Sequence, residues 1–154
     1  MSLLDAIKGT PNAALPLPWL ATAGQPTAAQ FTAAHAAGVR TVIDLRDPME
    51  PRPLDEAATL AALGVEYINA PVVGGALSDQ VMERVLAAVR AHAGTPTIVH
   101  CASANRVGGA LLPFFIIDQG MEEQAAIDLA MAVGLRSAEL MEWGLEYSRR
   151  HGGA

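Results

Sequence analysis

The residues of this 154-residue chain that could do chemistry gather around its only cysteine. Cys101 ends the apolar run Thr97-Ile98-Val99-His100, which Pro96 introduces and which reads as a buried strand. Ala102, Ser103, Ala104 and Asn105 follow, then Arg106 and Val107 at the start of an apolar helix. A thiol at a strand end, a short loop of small residues and an arginine at a helix start make a site for an oxyanion. Backbone N–H groups of such a loop can turn inward as a nest. The helix N-terminus adds unpaired N–H groups and the positive end of its dipole. A guanidinium there can take two oxygens of a tetrahedral anion at once. The same field favours thiolate, the nucleophilic form, over thiol: a free cysteine titrates near pH ~8.5, and such surroundings can bring it to roughly 3.5–7.5. A free cysteine at a strand end is often only a small hydrophobe. The order His-Cys-small-Ser-small-Asn-Arg, set between strand and helix, points to function instead.

The rest of the chain supplies elements that can hold such a loop. Residues 1–18 contain a short helical stretch and then Pro11, Pro16 and Pro18, and read as an extension that packs on the domain or frays. Trp19-Leu20-Ala21-Thr22-Ala23 reads as a first strand, ended by Gly24-Gln25-Pro26. Thr27 and Gln30 form a capping box for a helix that Gly38 closes. Residues 39–45 are a β-branched strand, followed by the proline-rich loop Arg46-Asp47-Pro48-Met49-Glu50-Pro51-Arg52-Pro53. A helix over 54–63, a strand over 65–70 and the loop Pro71-Val72-Val73-Gly74-Gly75 come next. Ser78 caps a helix reaching about residue 93, with Val81, Val85, Leu86 and Val89 at helical spacing. Beyond the cysteine loop, 107–117 is helical until Pro113, which should kink or end it. Residues 121–133 and 137–150 are two further helices, whose Met, Leu and Trp143 positions read as core. The alternation predicts an α/β fold, a mainly parallel four-stranded sheet with helices on both faces. Ligands of such sheets bind beyond the carboxyl ends of the strands. Cys101 is expected there on a central strand, flanked by the loops that start at Arg46 and Pro71.

Size and composition bound the reading. The length fits a single domain over 1–154 with one core, 1–18 being its N-terminal extension. A hydrophobic content of 51% and a charged content of 17% fit a compact chain rather than a disordered one. The formal net charge of −6 argues against a nucleic-acid partner. Attraction of an anion must therefore be local, around Arg106 with Arg46 or Arg52. One cysteine excludes an internal disulfide and fits a reducing compartment. The start, Met1 to Lys8, shows neither a basic n-region nor a long apolar run. The apolar stretch over 107–117 is too short to span a bilayer. A cytoplasmic protein without a membrane partner is expected. His35, His92 and His151 show no metal-ligand spacing with Cys101 or a carboxylate, so no metal site is expected.

His100-Cys101, the small loop and Arg106 resemble the phosphate-binding loop of cysteine-dependent protein tyrosine and dual-specificity phosphatases. Upstream, Ala21-Thr22-Ala23-Gly24-Gln25-Pro26-Thr27, Gly38-Val39-Arg40-Thr41-Val42-Ile43-Asp44-Leu45-Arg46, Gly64-Val65-Glu66-Tyr67 and Pro71-Val72 are similar to a bacterial branch of that superfamily. That branch is described as phosphatase-like or as a sulfur transferase, and is sometimes fused to metallo-β-lactamase-type hydrolases. The resemblance implies a cysteine-phosphatase fold and hydrolysis of phosphomonoesters through a thiophosphate on Cys101, with no cofactor. It implies an anion held by Arg106 and by Ala102, Ser103, Ala104, Asn105 and Val107, and a phosphorylated small molecule or phosphoprotein as substrate. It implies a general acid on a neighbouring loop, with Asp79 the first candidate and Asp47 and Glu50 the alternatives. His100, turned away from Cys101 by strand alternation, is expected to steady a neighbouring loop. Arg46 either frames the pocket or serves a structural ion pair. Ser103 and Asn105 shape the loop, or Ser103 assists the leaving thiol. Ala104 stands where glycine would be the easy choice for an unusual backbone angle.

The chain departs from the phosphatase pattern twice. Four residues, Ala102 to Asn105, separate Cys101 from Arg106 where that pattern has five. Four is the spacing associated with rhodanese-type sulfurtransferases. Val107 stands where the phosphatases usually carry Ser or Thr. Two alternatives therefore stand beside the phosphatase: a sulfurtransferase with a persulfide on Cys101, and a non-catalytic anion-binding regulatory module.

Overall fold

The computed structural model describes residues 2–152. Its strands are short: Ala14–Leu17 (β1), Leu20–Ala23 (β2), Thr41–Asp44 (β3), Glu66–Asn69 (β4) and Thr97–His100 (β5). They lie in the order β1-β2-β5-β3-β4. β2, β5, β3 and β4 are parallel, as the helical crossovers between them require. β1 adds a fifth, antiparallel strand against β2, within the stretch that by sequence reads as the N-terminal extension. It contains Pro16, which cannot donate to a ladder and is tolerated because β1 is an edge strand.

Side-chain alternation sorts the strands onto two cores. Ala21, Ala23, Val42 and Ile98 face Leu3–Ala6 (α1), Ala28–Ala36 (α2) and Glu56–Leu63 (α3). Leu20, Ile43, Val99 and Cys101 face Asp79–Ala91 (α4), Asn105–Pro113 (α5), Glu123–Val133 (α6) and Ala138–His151 (α7). Helices thus cover both faces, and β5 is the central strand.

The expected starts are present. Thr27 and Gln30 form a reciprocal capping box, and Ser78 Oγ accepts from the Val81 N–H. α5 ends at Pro113, and the chain continues as a π-helical turn over Phe114–Asp118. Pro113 has no N–H for the regular ladder, so the break falls where the sequence places it. α5 runs against α7 at close range: a Cβ on Gly109 would lie 2.8 Å from Leu140 Cβ, and one on Gly144 2.6 Å from the Gly109 carbonyl oxygen. That packing holds α5, and with it the start that carries Arg106.

Candidate active site

Cys101 follows β5, and its sulfur lies on the floor of the loop, under exposed Ala102 and Ser103. The cysteine itself is only 1% exposed. The Ala104 N–H donates to its Sγ at 3.1 Å. Ala104 is the residue before α5 and adopts φ 72°, ψ 0°, a left-handed conformation that costs an alanine roughly 1–2 kcal/mol. The strain sits where the loop must turn its N–H groups toward the sulfur. Among the described residues no side chain caps α5. The backbone N–H groups of Ala102, Ser103, Asn105, Arg106 and Val107 have no protein acceptor among the described residues. A ring of such donors at a helix start is what an oxyanion binds.

Arg106 stands at the other side of the sulfur. Its Nη1 donates to Glu50 Oε2 at 2.5 Å and, more weakly, to the Val72 carbonyl at 3.4 Å; its Nη2 donates to Glu50 Oε1 at 2.9 Å. The Nε–H and the second Nη2–H donate to no oxygen among the described residues, and the Cys101 sulfur is the hydrogen-bonding neighbour of the guanidinium there. These two are parallel and form the other bidentate edge of the guanidinium. Glu50 holds Arg106 above its ordinary pKa, and the Cys101 sulfur acts in the same direction. In return the Arg106 guanidinium holds Glu50 below the usual carboxylate range. Glu50 comes from the proline-rich loop, and Val72 from the loop after β4, so both loops do flank the site.

Four hydrogen bonds brace the loop. The Gln25 N–H donates to the Ala102 carbonyl at 3.2 Å. Asn12 Nδ2 donates to the Ser103 carbonyl at 2.8 Å. Asn105 Oδ1 accepts from the backbone N–H groups of Arg136 at 2.8 Å and Ser137 at 3.1 Å. Asn105 thus fixes the turn between α6 and α7 against the loop. Val107 is buried in the core.

On the opposite face of β5 lies a buried ionic cluster. His100 Nε2 is 2.5 Å from Glu56 Oε2, with neither side chain exposed, and Nδ1 is 3.3 Å from the Cys101 carbonyl. Arg46 donates from Nε and Nη2 to both oxygens of Asp44, at 3.0 and 2.9 Å, and from Nη2 to Glu56 at 3.2 Å. Arg52 and the Tyr67 hydroxyl also donate to Asp44, at 3.1 and 2.7 Å. Burial pushes the Asp44 pKa up, but the bonds from Arg46 and Tyr67 and the neighbouring His100 outweigh it and hold it at about 2. Burial and the bond to Asp44 push Tyr67 up to about 12. Asp44, Glu56 and His100 bring ligand-type atoms within 4.8 Å of one another. Arg46 already bonds both carboxylates, so the group is built as an ion cluster and a metal there would meet a guanidinium. Arg46 is thus an ion-pair residue under the site, and His100 reaches α3 rather than the sulfur.

Asp79 is not brought to this group. It lies in the first turn of α4, where Arg150 takes both its oxygens at 2.6 and 2.8 Å and His151 approaches one at 3.2 Å. Both partners sit at the end of α7 away from the loop. The Arg150 bonds hold the Asp79 carboxyl at about 2, the wrong direction for a proton donor. Asp47 has an oxygen engaged by the Met49 N–H, and its own N–H donates to Glu50. By sequence Glu50 reads only as an alternative acid, and no site role is evident for Asn12, Gln25 or Glu56. Glu56, the first residue of α3, carried only the ordinary signal of an acid in a helix first turn.

Compared with known proteins, residues 16–111 match the family model of the beta-lactamase hydrolase-like protein, phosphatase-like domain. No curated protein matches the chain. Among solved structures, a DUF442 phosphatase-type protein from Shewanella putrefaciens CN-32 is 22% identical, with 97% of this chain and 99% of that one covered and a TM-score of 0.82. The core catalytic domain of the PP-IP phosphatase SIW14 from S. cerevisiae is 16% identical over 93% and 90%, with a TM-score of 0.77. TpbA from P. aeruginosa, solved in complex with pTyr, is 22% identical over 90% and 83%, with a TM-score of 0.68. At these identities the likeness is one of fold: the sheet and helices are those of cysteine phosphatases.

Proposed function

The chain belongs to the phosphatase-like domain family of beta-lactamase hydrolase-like proteins, and on that premise we propose that it is a phosphatase of the protein tyrosine type with Cys101 as nucleophile. The sulfur attacks phosphorus, the bond to the leaving oxygen breaks, and a thiophosphate forms on Cys101. The ring of unbonded N–H groups and the Nε/Nη2 edge of Arg106 take the phosphoryl oxygens. Water then cleaves the sulfur–phosphorus bond and returns the thiol. The observation that carries this reading is the Ala104 N–H on Sγ at 3.1 Å, beside a guanidinium whose outer edge is clamped by Glu50 and whose inner edge is open. TpbA was solved with pTyr and SIW14 is a PP-IP phosphatase. A phosphoprotein or a phosphorylated small molecule is the corresponding substrate class here.

The carboxylates considered as proton donors bear on the leaving group. Glu50 is held ionised by Arg106, and Asp79 by Arg150. The reading therefore assigns neither a proton, and favours substrates whose leaving group departs as a stable anion.

A sulfurtransferase is the second reading, supported by the four-residue spacing and by buried Val107 in place of a hydroxyl. Paired assays on one preparation separate the two. The expected result is steady release of nitrophenolate and phosphate from nitrophenyl phosphate, lost in Cys101→Ser, with thiocyanate formation from thiosulfate and cyanide at background. Robust thiocyanate formation without phosphate release would transfer the assignment to sulfur transfer.

A further inference from the structure

A second cation stands beside the loop, outside the cysteine–arginine pair. The turn between α6 and α7 lies against the loop so closely that a Cβ on Gly134 would sit 3.0 Å from Ala104 Cβ, and Gly134 adopts φ +138°. Leu135 is buried, and a Cβ on Gly108 would lie 2.6 Å from its own Cβ. The Arg136 N–H is then pinned to Asn105, the neighbour of Arg106, at 2.8 Å. The Arg136 backbone therefore stands on rigid parts. Its exposed side chain runs along the loop: Nη1 donates to the Gly134 carbonyl at 3.1 Å, and Nη2 lies 3.4 Å from Asn12 Oδ1. Asn12 is the residue that holds the Ser103 carbonyl.

Arg136 also differs from most arginines of the molecule. Arg46, Arg52, Arg90, Arg106, Arg149 and Arg150 each pair with a carboxylate, whereas Arg136 has no carboxylate partner among the described residues. Its Nε–H has no acceptor among them either. An unpaired guanidinium fixed beside an anion-binding loop, in a chain of net charge −6, is a local attraction for negative charge.

We propose that Arg136 forms a second anion subsite, and that the substrate carries two neighbouring phosphoryl groups, one in the Cys101 loop and one on Arg136. This rests on the loop's being the phosphoryl site proposed above. The side chain is exposed and its contacts are few, so Arg136→Ala keeps the backbone bonds to Asn105. Arg84, exposed on α4 and likewise without a carboxylate partner among the described residues, supplies the control for lost charge alone.

The test is calorimetric binding of inorganic phosphate and of methylenebisphosphonate to the intact chain. The wild type should bind the bisphosphonate about tenfold more tightly than phosphate, a ratio of the size one charge-assisted contact supplies. Excess phosphate should displace it. The ratio should fall to about twofold or less in Arg136→Ala and persist in Arg84→Ala, with salt weakening it in the wild type. Phosphate binding without a bisphosphonate preference, or a preference that survives Arg136→Ala, would overturn the subsite and leave the loop reading standing. Failure of the wild type to bind either anion would overturn both.

Discussion

Arg106 is the residue on which the site turns, and Glu50 decides which part of it faces the sulfur. A free guanidinium presents two bidentate edges. With one edge closed by Glu50 and Val72, the other is directed at the loop without any rotamer search when an anion arrives. The residue that keeps this arrangement in place from below is Asp44. Its carboxylate gathers Arg46, Arg52 and Tyr67, and so anchors both ends of the proline-rich loop that carries Glu50. Its pKa is about 2 in the folded chain against an ordinary 3.8. A carboxyl depressed in this way stabilises the fold fully above its unfolded value and loses that contribution as pH falls through the folded one. The shift corresponds to about 2 kcal/mol, lost between pH about 4 and about 2. Asp44→Asn should cost about 3–5 kcal/mol at neutral pH, because Arg46 is left buried beside one fewer charge. Urea melts at a series of pH values check both points. The wild type should weaken across that acid window and the variant should be flatter there; parallel curves would remove Asp44 from the account.

These residues were legible to different degrees for one reason. Cys101, Ala104 and Arg106 are local in sequence, and strand, loop and helix start place them together without help. The left-handed angle at Ala104 was anticipated for the same reason. Glu50 lies 56 residues from Arg106, and Asn12 lies 91 from Ser103. Nothing in a proline-rich stretch says which of its side chains folds back onto a distant loop. Asp79 looked suited as an acid because it follows the right strand's loop, and the partners that tie it up come from a helix more than seventy residues later.

At the scale of elements, the position of the cysteine follows from β5 being central, with β2 and β3 supplying walls on either side. Gly24 directly follows β2, and a Cβ there would lie 2.5 Å from the Ala102 carbonyl oxygen and 2.9 Å from Pro11 Cβ. Backbone approaches backbone there, so neither side can yield by turning a rotamer. Gly24→Ala should displace the loop, lowering phosphate release from nitrophenyl phosphate by about 10²-fold, the scale of a 1 Å misplacement. Its cost in stability should be about 1–3 kcal/mol. Kinetics together with a thermal melt check this, and wild-type turnover in the variant would show that Gly24 does not set the loop's position. The four parallel strands, the helices between them and the break at Pro113 were readable because periodicity and caps are local. β1 was not, since Pro16 and Pro18 argue against a strand unless its place at the sheet edge is known.

The whole molecule puts its charge to local use. With a net charge of −6, the global field repels the anions that the site is built to take. Capture therefore depends on the few positive groups at the carboxyl edge of the sheet, Arg106 and the loop N–H groups first and Arg136 at the rim. Among the described residues no helix is long and apolar enough to cross a membrane. The central claim is that a phosphoryl group passes through the sulfur of Cys101. Rapid acid quench of wild-type protein mixed with nitrophenyl phosphate, followed by intact and peptide mass spectrometry, tests it most directly. The account predicts an adduct of one phosphoryl group on the peptide that contains Cys101, formed in step with the first burst of nitrophenolate. Turnover of nitrophenyl phosphate with no phosphoryl adduct at any quench time, or with the adduct on another residue, would contradict it.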